Sequence, residues 1–317
     1  MQKLPQISIV APLYNEKDTF PLLVERLNNL MDTSQLAIEV VLIDDGSKDN
    51  TAELMAALAI SDKRYHAVFL SKNHGHQSAV TAGMAKAEGT EGIFIIDGDL
   101  QDPPELLEEF YSHLTKGADV VYAVRKKRKE SWLKRTAYSA FYRLLKSISY
   151  IDIPLDSGDF SLVSRRVVNV MNKMPEESRY LRGMRTWVGF KQVGVEYDRD
   201  SRAAGDSKYS LKMLFRLAYN GIFNFSEAPI KLVTNMGIGT FLIATIYLLT
   251  VLFKKFFIKD YVPEGFTATL FVIILFAGVQ LIALGIIGEY VLRIFFQVKN
   301  RPLFLIKREI KNGEIIE

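Results

Sequence analysis

Residues 92–105 have the sequence GIFIIDGDLQDPPE, and this stretch decides the fold class. The apolar run Gly92–Ile96 predicts a buried strand that ends at Asp97. The residues Pro103–Glu105 then predict the first turn of a helix, because proline is tolerated where the backbone N–H has no partner. A strand that leads through an acidic loop into a helix is one unit of an alternating α/β fold.

The same alternation extends from this stretch in both directions along the chain. Continuous apolar runs predict four further strands, at Ile7–Ala11, Ile38–Ile43, Ala67–Leu70 and Asp119–Val124. Apolar spacing and capping residues predict helices at Thr19–Met31, from Asp49 onward and near Gln77–Ala87. Strands that are apolar throughout are typical of a parallel sheet with helices on both faces. The predicted fold class is therefore α/β with a mostly parallel sheet.

Polar clusters follow three of the predicted strands. They are Pro12-Leu13-Tyr14-Asn15-Glu16, Asp44-Asp45-Gly46-Ser47 and Asp97-Gly98-Asp99-Leu100-Gln101-Asp102. Ligands bind at the carboxyl ends of strands in such sheets, so the clusters predict a common site. A simple turn would explain one Asp-Gly-Asp triplet, but three clusters at one sheet edge favour a ligand.

The third cluster is suited to a metal-bound phosphate. In an extended segment Asp97 and Asp99 project the same way, and Gly98 lets the backbone approach a ligand closely. Oxygen ligands on a loop suit Mg²⁺ or Mn²⁺, which takes further oxygens from a substrate phosphate. We predict that Asp99 and Gln101 hold this metal and that Asp45 binds the base or ribose of a nucleoside diphosphate.

Composition and missing motifs exclude other classes of site. The chain has no cysteine, which removes disulfides, thiolate metal sites and cysteine nucleophiles. Its 4 histidines disfavour a histidine-rich metal centre. No Gly-x-Gly-x-x-Gly follows a strand and no Gly-x4-Gly-Lys-Ser/Thr occurs, so a dinucleotide dehydrogenase and a P-loop ATPase are both disfavoured.

Basic residues should bind the phosphates of such a ligand. Arg125 and Arg128 follow the last predicted strand, and arginine offers a planar fork for phosphate oxygens. Arg202 and Lys208 flank the small residues Ala203–Gly205, so we expect a mobile loop that closes over a diphosphate.

Two uncharged stretches, Val233–Phe253 and Phe266–Gly288, predict membrane-spanning helices. At 1.5 Å per residue they are about 31 and 34 Å long, enough to cross a hydrocarbon core of about 30 Å. Two buried helices of a globular core are the alternative. Lysine and arginine are more frequent after the second stretch than in the connecting loop, so we expect both termini and the large N-terminal domain in the cytoplasm.

These features divide the sequence into four parts. We expect a cytoplasmic α/β domain at 1–208, an amphipathic juxtamembrane helix at 209–230, a transmembrane hairpin at 231–292 and a basic cytoplasmic tail at 293–317. A second amphipathic helix is predicted at 132–150, within the first part. Basic amphipathic helices suit an anionic membrane surface, whereas two ordinary surface helices are the alternative.

The motifs together resemble glycosyltransferase family two, and within it the polyisoprenyl-phosphate glycosyltransferases. Matching stretches run through the whole chain: Val10–Glu16, Asp44–Ser47, Lys72–Gly75, Asp97–Glu105, Ser157–Phe160, Arg202–Tyr209, Gly288–Tyr290 and Lys299–Pro302. The two-span anchor is similar to that of the bactoprenol glucosyltransferases of bacteria. The chain departs from that branch at Ser161, where arginine is frequent. The resemblance implies a GT-A fold, a Rossmann-like catalytic domain, at 1–208.

The resemblance also implies an activity, an inverting transfer of a hexose from a nucleotide sugar to a polyprenyl phosphate at the cytoplasmic face of the inner (plasma) membrane. Glucose, UDP-glucose and undecaprenyl phosphate are favoured, while GDP-mannose or an amino-sugar donor stays open. Such an acceptor is a phosphate monoester whose second pKa is about 6, so a strong general base is less necessary than for a hydroxyl acceptor.

The implied roles fall on specific residues. The nucleotide-sugar set is Pro12, Tyr14, Glu16, Asp45, Ser47, Asn73, Asp97 and Gly98. The metal is assigned to Asp99 and Gln101, the acceptor phosphate to Arg125 and Arg128, and catalysis to Asp159, Arg202 and Lys208. Asp159 is the candidate base, and its alternative role is to orient a phosphate-binding arginine or to shape the sugar pocket.

Two other functions fit the sequence less well. A processive polysaccharide synthase also joins this fold to membrane helices, but that group usually carries Gln-x-x-Arg-Trp, and the nearest match here is Arg185-Thr186-Trp187. A non-catalytic scaffold that binds nucleotide sugar is disfavoured by the intact Asp97–Gln101 motif. We expect no nucleic-acid partner, and a homo-oligomer stays open.

Overall fold

The structure is a computed structural model that describes residues 4–125, 157–177, 179–198, 228–253, 257 and 265–316. Its strands are β1 Ile7–Leu13, β2 Ile38–Asp44, β3 Tyr65–Leu70, β4 Gly92–Ile95, β5 Val120–Arg125, β6 Ser157–Ser164, β7 Gln192–Tyr197, β8 Ile306–Lys311 and β9 Glu314–Ile316. Its helices are α1 Phe20–Thr33, α2 Thr51–Ser61, α3 His76–Lys86, α4 Leu107–Thr115, α5 Arg165–Lys173, α6 Leu181–Trp187, α7 Ala228–Phe253 and α8 Phe266–Lys299. A short 3₁₀ turn at Pro104–Leu106 precedes α4.

All described strands belong to one sheet, in the order β7-β5-β6-β4-β1-β2-β3-β8-β9. The centre, β4-β1-β2-β3, is parallel, as the apolar runs predict. Both β6 and β8 run antiparallel to their neighbours, so the sheet is mixed. The α/β class is confirmed, while β6, α5, α6 and β7 form in a part of the chain for which the sequence predicted no element.

The two faces of the sheet explain the uninterrupted apolar strands. Every residue of β1 is buried, because alternate side chains enter two separate clusters. Ile9 packs with α1 and α4 residues such as Leu23 and Phe110, whereas Val10 packs on the other face with α3 residues such as Val80. Helices on both faces leave the carboxyl edge of the strands as the place for polar loops.

The C-terminal segment differs from the predicted separate tail. Residues 306–311 form β8, which pairs with β3 inside the sheet. The buried Glu309 accepts hydrogen bonds from Lys86 Nζ at 2.5 Å and from His66 Nε2 at 2.7 Å. Burial lowers the pKa of His66, so the ring is neutral and donates through Nε2. Two basic residues of the segment are also paired with the domain: the guanidinium carbon of Arg308 lies 4.3 Å from the Phe69 ring centroid, and Lys311 pairs with Glu88. Charge counting cannot distinguish such a strand from a solvated tail.

Both apolar stretches are helical, and each helix is longer than predicted. Two described windows, Pro229–Tyr247 and Leu275–Lys299, are long and apolar enough to cross a membrane, and none of either window is buried. The helix α8 continues past residue 288 to Lys299. Asn300 follows as its C-cap, in a left-handed conformation with φ 47°. Pro302 follows and cannot continue a helix. The helices expected at 132–150 and over 209–227 lie outside the described residues.

Candidate active site

The loops after β1 and β2 interlock at the carboxyl edge of the sheet. The backbone N–H of Asn15 donates to Ser47 Oγ at 3.0 Å, and Asn15 Oδ1 accepts from the N–H of Lys48 at 2.8 Å. Asn15 has a positive φ of 53°, which asparagine tolerates better than most side chains. Glu16 is held by its N–H, which donates to Thr51 Oγ1 at 2.9 Å. Tyr14 and Glu16 are half-buried, and Pro12 is buried at the end of β1.

Asp45 orders the loop that carries Asn73. Its carboxylate is 3% exposed and accepts hydrogen bonds from the N–H groups of His74 at 2.7 Å and Gly75 at 3.0 Å. Burial raises the pKa of Asp45, and these two hydrogen bonds oppose the rise. Gly46 is tightly packed under the same loop, because a Cβ there would lie 2.6 Å from the Asn73 nitrogen. The sequence assigned Asp45 to the base or ribose, and in the structure its oxygens bind the neighbouring loop.

Asp97, Gly98 and Asp99 form a turn rather than the extended segment expected from the sequence. Leu100 has φ 58°, and Asp99 Oδ1 accepts from the N–H of Gln101 at 3.2 Å. A Cβ on Gly98 would lie 2.4 Å from Leu13 Cδ2 and 3.1 Å from the Pro12 carbonyl oxygen. The glycine is therefore required by packing against the end of β1, not by the close approach of a ligand.

A charged cluster joins β6 to α3 and α6. Asp159 Oδ1 accepts from Arg182 Nε at 2.9 Å, and Oδ2 accepts from Gln77 Nε2 at 2.9 Å. His76 Nε2 lies 3.4 Å from Asp159 Oδ2 and 3.7 Å from Asp97 Oδ1, so it links this cluster to the Asp97 turn. Gln77 Oε1 accepts in turn from the N–H of Leu181 at 2.9 Å.

The electrostatics of this cluster bear on the role of Asp159. Burial opposes the charge of Asp159, but the charges and hydrogen bonds of Arg182 and His76 hold its pKa well below the ordinary value. Burial also opposes the charge of His76, and the hydrogen bond to Asp159 with the charge of Asp97 outweighs it and raises the pKa of His76 to about 9. A carboxylate so firmly ionised is a weak general base, because the best catalytic pKa lies near the working pH. These contacts favour the orienting alternative for Asp159.

The Asp97–Gln101 turn fits a divalent cation that shares its coordination with a phosphate. Burial raises the pKa of Asp97 to about 6, and the charges of Asp102 and Asp99 add to the rise. Concentrated negative charge of this kind is what a bound cation offsets. Within the described ranges no group of three or more His, Cys, Asp or Glu side chains could hold a metal by itself. Mg²⁺ commonly uses one or two carboxylates plus substrate phosphates, so the donor set fits such a shared site.

The remaining predicted residues are only partly described. Arg125 ends β5, and its buried Nε has no hydrogen-bond partner among the described residues. Its charge acts on Tyr197, whose hydroxyl donates to Asp102. Ser161 is buried in β6, and its hydroxyl donates to the Asp159 carbonyl at 2.8 Å. Arg128, Arg202 and Lys208 lie outside the described residues.

The sequence interpretation missed three side chains of the cluster, His76, Gln77 and Arg182. The polar run His74–Gln77 before the apolar part of α3 was a usable signal for the first two. Arg182 had no local signal, because 23 residues separate it from Asp159 along the chain. Arg185, three residues further on, is 3% exposed and stacks on the Tyr122 ring with its guanidinium carbon 5.1 Å from the ring centroid.

Comparisons with known proteins identify the family of this chain. The profile of the family described as "Glycosyl transferase family 2" matches residues 8–171. The uncharacterized glycosyltransferase YkcC of Bacillus subtilis is 42% identical over 97% of this chain and 95% of its own. A prophage bactoprenol glucosyl transferase homolog of Escherichia coli is 36% identical over 96% of this chain and 99% of its own.

Among solved structures, glucosyl-3-phosphoglycerate synthase from Mycobacterium tuberculosis, in complex with Mn²⁺, UDP and glucosyl-3-phosphoglycerate, is 18% identical with a TM-score of 0.42. The match covers 69% of this chain and 77% of that one. The family profile covers just over half of the chain, and the two relatives match it over nearly its whole length. The chain therefore belongs to glycosyltransferase family 2, and it is a glycosyltransferase.

Proposed function

We propose that the protein transfers a hexose from a nucleotide sugar to a polyprenyl phosphate at the cytoplasmic face of the inner membrane, with inversion at the anomeric carbon. Glucose from UDP-glucose is the favoured donor. The observation that carries the proposal is the convergence of the Asp97–Gln101 turn and the Asp159 cluster at one edge of a sheet whose chain also holds two membrane-length helices. Relatives that match nearly the whole chain bear the name bactoprenol glucosyl transferase, which supports the acceptor class.

The chemistry requires little proton transfer. A phosphate oxygen of the acceptor attacks the anomeric carbon, the bond from that carbon to the diphosphate breaks, and the nucleoside diphosphate leaves with the electron pair. The acceptor phosphate is largely ionised at cytoplasmic pH, since its second pKa is about 6. The low pKa of Asp159 is compatible with this mechanism, in which electrostatic stabilisation of the leaving group is the main catalytic effect.

Asp99 and Gln101 are the proposed metal ligands, and a divalent cation held there would neutralise charge on the departing diphosphate. The donor itself is proposed to bind along the edge formed by Pro12, Tyr14, Glu16, Ser47 and Asn73, with the Asp45 carboxylate fixing the loop of Asn73. Asp97 and Gly98 shape the wall between this edge and the Asp159 cluster. Arg125 and Arg128 are proposed for the acceptor phosphate, and Arg202 and Lys208 for loop closure over the diphosphate.

The sheet supports a cytoplasmic location for both flanks of the helix pair. Strands β1 to β7 precede α7 and α8 in the chain, whereas β8 follows them, and all belong to the same sheet. A sheet cannot be divided by a bilayer, so the chain must leave and return on one side. Two spans are compatible with that condition, and the excess of lysine and arginine near the end of α8 favours the cytoplasmic side.

The test is turnover of radiolabelled donor by the full chain in neutral detergent with polyprenyl phosphate. We expect a lipid-linked monosaccharide that extracts into butanol, and UDP-glucose to be preferred over UDP-galactose, UDP-N-acetylglucosamine and GDP-mannose. Asp99→Asn should abolish metal-dependent turnover, while Asp32→Asn, which removes one exposed carboxylate far along α1, should not. A polymeric product, or turnover that survives both EDTA and Asp99→Asn, would reject the proposal.

A further inference from the structure

In the last turn of α8, the side chain of Gln297 hydrogen-bonds the catalytic domain. Its Nε2 donates to the Pro175 carbonyl at 2.5 Å, and its Oε1 accepts from the N–H of Glu177 at 3.0 Å. Both ends of the amide are therefore used on one short backbone segment, which lies 120 residues earlier in the chain. A primary amide that pairs with a backbone donor and acceptor in this way sets the position of the segment as well as its distance.

Apolar packing does not replace these two hydrogen bonds. A cavity of about 290 Å³ lies between the end of α8 and the segment, and it is lined in part by Met174, Pro175, Phe296 and Leu303. Surfaces that enclose a cavity have few van der Waals contacts across it. The amide of Gln297 therefore links the second membrane-length helix to this part of the domain by two directional hydrogen bonds.

The same segment leads directly into the Asp159 cluster. Arg179 donates to the carbonyls of Met171 at 3.0 Å and Met174 at 2.6 Å, which anchors the segment to the end of α5. Two residues later the N–H of Leu181 holds Gln77, and Arg182 donates to Asp159. A series of hydrogen bonds thus runs from α8 through residues 175–177 and 179–182 to the carboxylate at the site.

We propose that Gln297 is a positioning residue, through which α8 sets the placement of Arg182 and Asp159 relative to the Asp97 turn. The proposal deepens the proposed function, and it depends on that function only for the identity of the lipid acceptor. A membrane helix that fixes the active-site cluster would present the site to an acceptor whose tail stays in the bilayer. Misplacement of a catalytic group by about 1 Å can cost up to about a hundredfold in rate, so a remote amide can matter.

The experiment compares Gln297→Leu with Gln280→Leu in the full chain in neutral detergent. Gln280 lies on the same helix and is exposed, so the control removes an amide of the same size from α8 at a position 17 residues before Gln297. We expect Gln297→Leu to lower kcat by about tenfold or more while the KM for the donor stays within about twofold, because the hydrogen bonds of Gln297 are to Pro175 and Glu177, outside the donor-binding loops. The thermal unfolding midpoints of the two variants should agree. Gln297→Glu retains the acceptor for Glu177 and should be intermediate.

A double variant identifies the route. If Gln297 acts through Arg182, then Gln297→Leu combined with Arg182→Lys should lose no more rate than the worse single variant. Wild-type kcat in Gln297→Leu, an equal loss in Gln280→Leu, or additive losses in the double variant would each overturn the proposal. A wild-type enzyme that gives no glycolipid would instead reject the proposed acceptor. The same variants would then be compared by their rates of slow donor hydrolysis by water, and the same outcomes would decide the role of Gln297.

Discussion

Replacement of Asp159 by asparagine separates the two roles considered for this residue. Asparagine keeps the shape of the side chain and removes its charge. The hydrogen bond from Arg182 then loses its ionic character, and Arg182 and His76 face each other without the carboxylate between them. If Asp159 anchors Arg182, the substitution should lower both the stability and the rate of the enzyme. If Asp159 is only a base that acts on substrate, the substitution should lower the rate alone.

The size of the stability loss follows from burial. The side chain of Asp159 is 7% exposed and that of Arg182 is 22% exposed. Removal of one partner from a buried ion pair costs about 3–5 kcal/mol, and we take about 3 kcal/mol because Arg182 keeps some contact with water. For a domain of this size that corresponds to a fall of about 6–12 °C in the unfolding midpoint.

The sign of the pH dependence is also determined. Because the folded pKa of Asp159 is depressed, its contribution is complete above its unfolded pKa of about 3.9 and is lost only as the pH falls through the lower folded value. Asp159 itself therefore contributes equally at pH 6 and pH 8. Asparagine also removes the charge and hydrogen bond that raise the pKa of His76, so the gap between wild type and Asp159→Asn should be larger at pH 6 than at pH 8.

The assay is thermal unfolding of the full chain in neutral detergent, together with kcat for glycolipid formation. A control, Asp159→Asn combined with Arg182→Met, removes both charges and should recover most of the lost midpoint. If Asp159→Asn unfolds at the wild-type temperature or above while kcat falls more than about a hundredfold, the anchoring role is wrong and the general-base role is favoured.

Three further predictions concern the surroundings of the site. His76→Gln should lower the unfolding midpoint at pH 6, since the raised pKa of His76 gives a contribution present below about 6.5 and lost as the pH rises through about 9; equal gaps at pH 6 and pH 10 would contradict it. Glu309→Ala should destabilise the fold by about 3 kcal/mol in thermal unfolding, because two charge-assisted hydrogen bonds are lost. The control Glu314→Ala, at the exposed edge, should not lower the unfolding midpoint. Gly98→Ala should weaken donor binding in a titration with UDP-sugar, since its Cβ would contact Leu13 at 2.4 Å; partial recovery with Leu13→Ala would identify the contact, and unchanged affinity in Gly98→Ala would refute it.

Local patterns determined the core of this fold and the position of its acidic loops. The strands β1 to β4 could be predicted because each is an apolar run buried on both faces, and the loops because polar residues begin where each run stops. The 157–197 part gave no comparable signal. Its strand β6 contains Gly158, Asp159 and Ser161, so burial comes from neighbours in the sheet and not from an apolar run.

Tertiary structure alone decided which charges meet. Gln77, Asp159 and Arg182 come from three elements, and no spacing in the sequence places Gln77 and Arg182 each 2.9 Å from an oxygen of Asp159. The same holds for β8. Its charge pattern predicts a solvated tail, whereas in the structure its Glu309 is buried and pairs with Lys86 and His66 of the domain. Hydrophobic periodicity is a local property that the sequence contains in full. Pairing between distant charges depends on the order of strands in the sheet, and that order is fixed only when the whole chain packs.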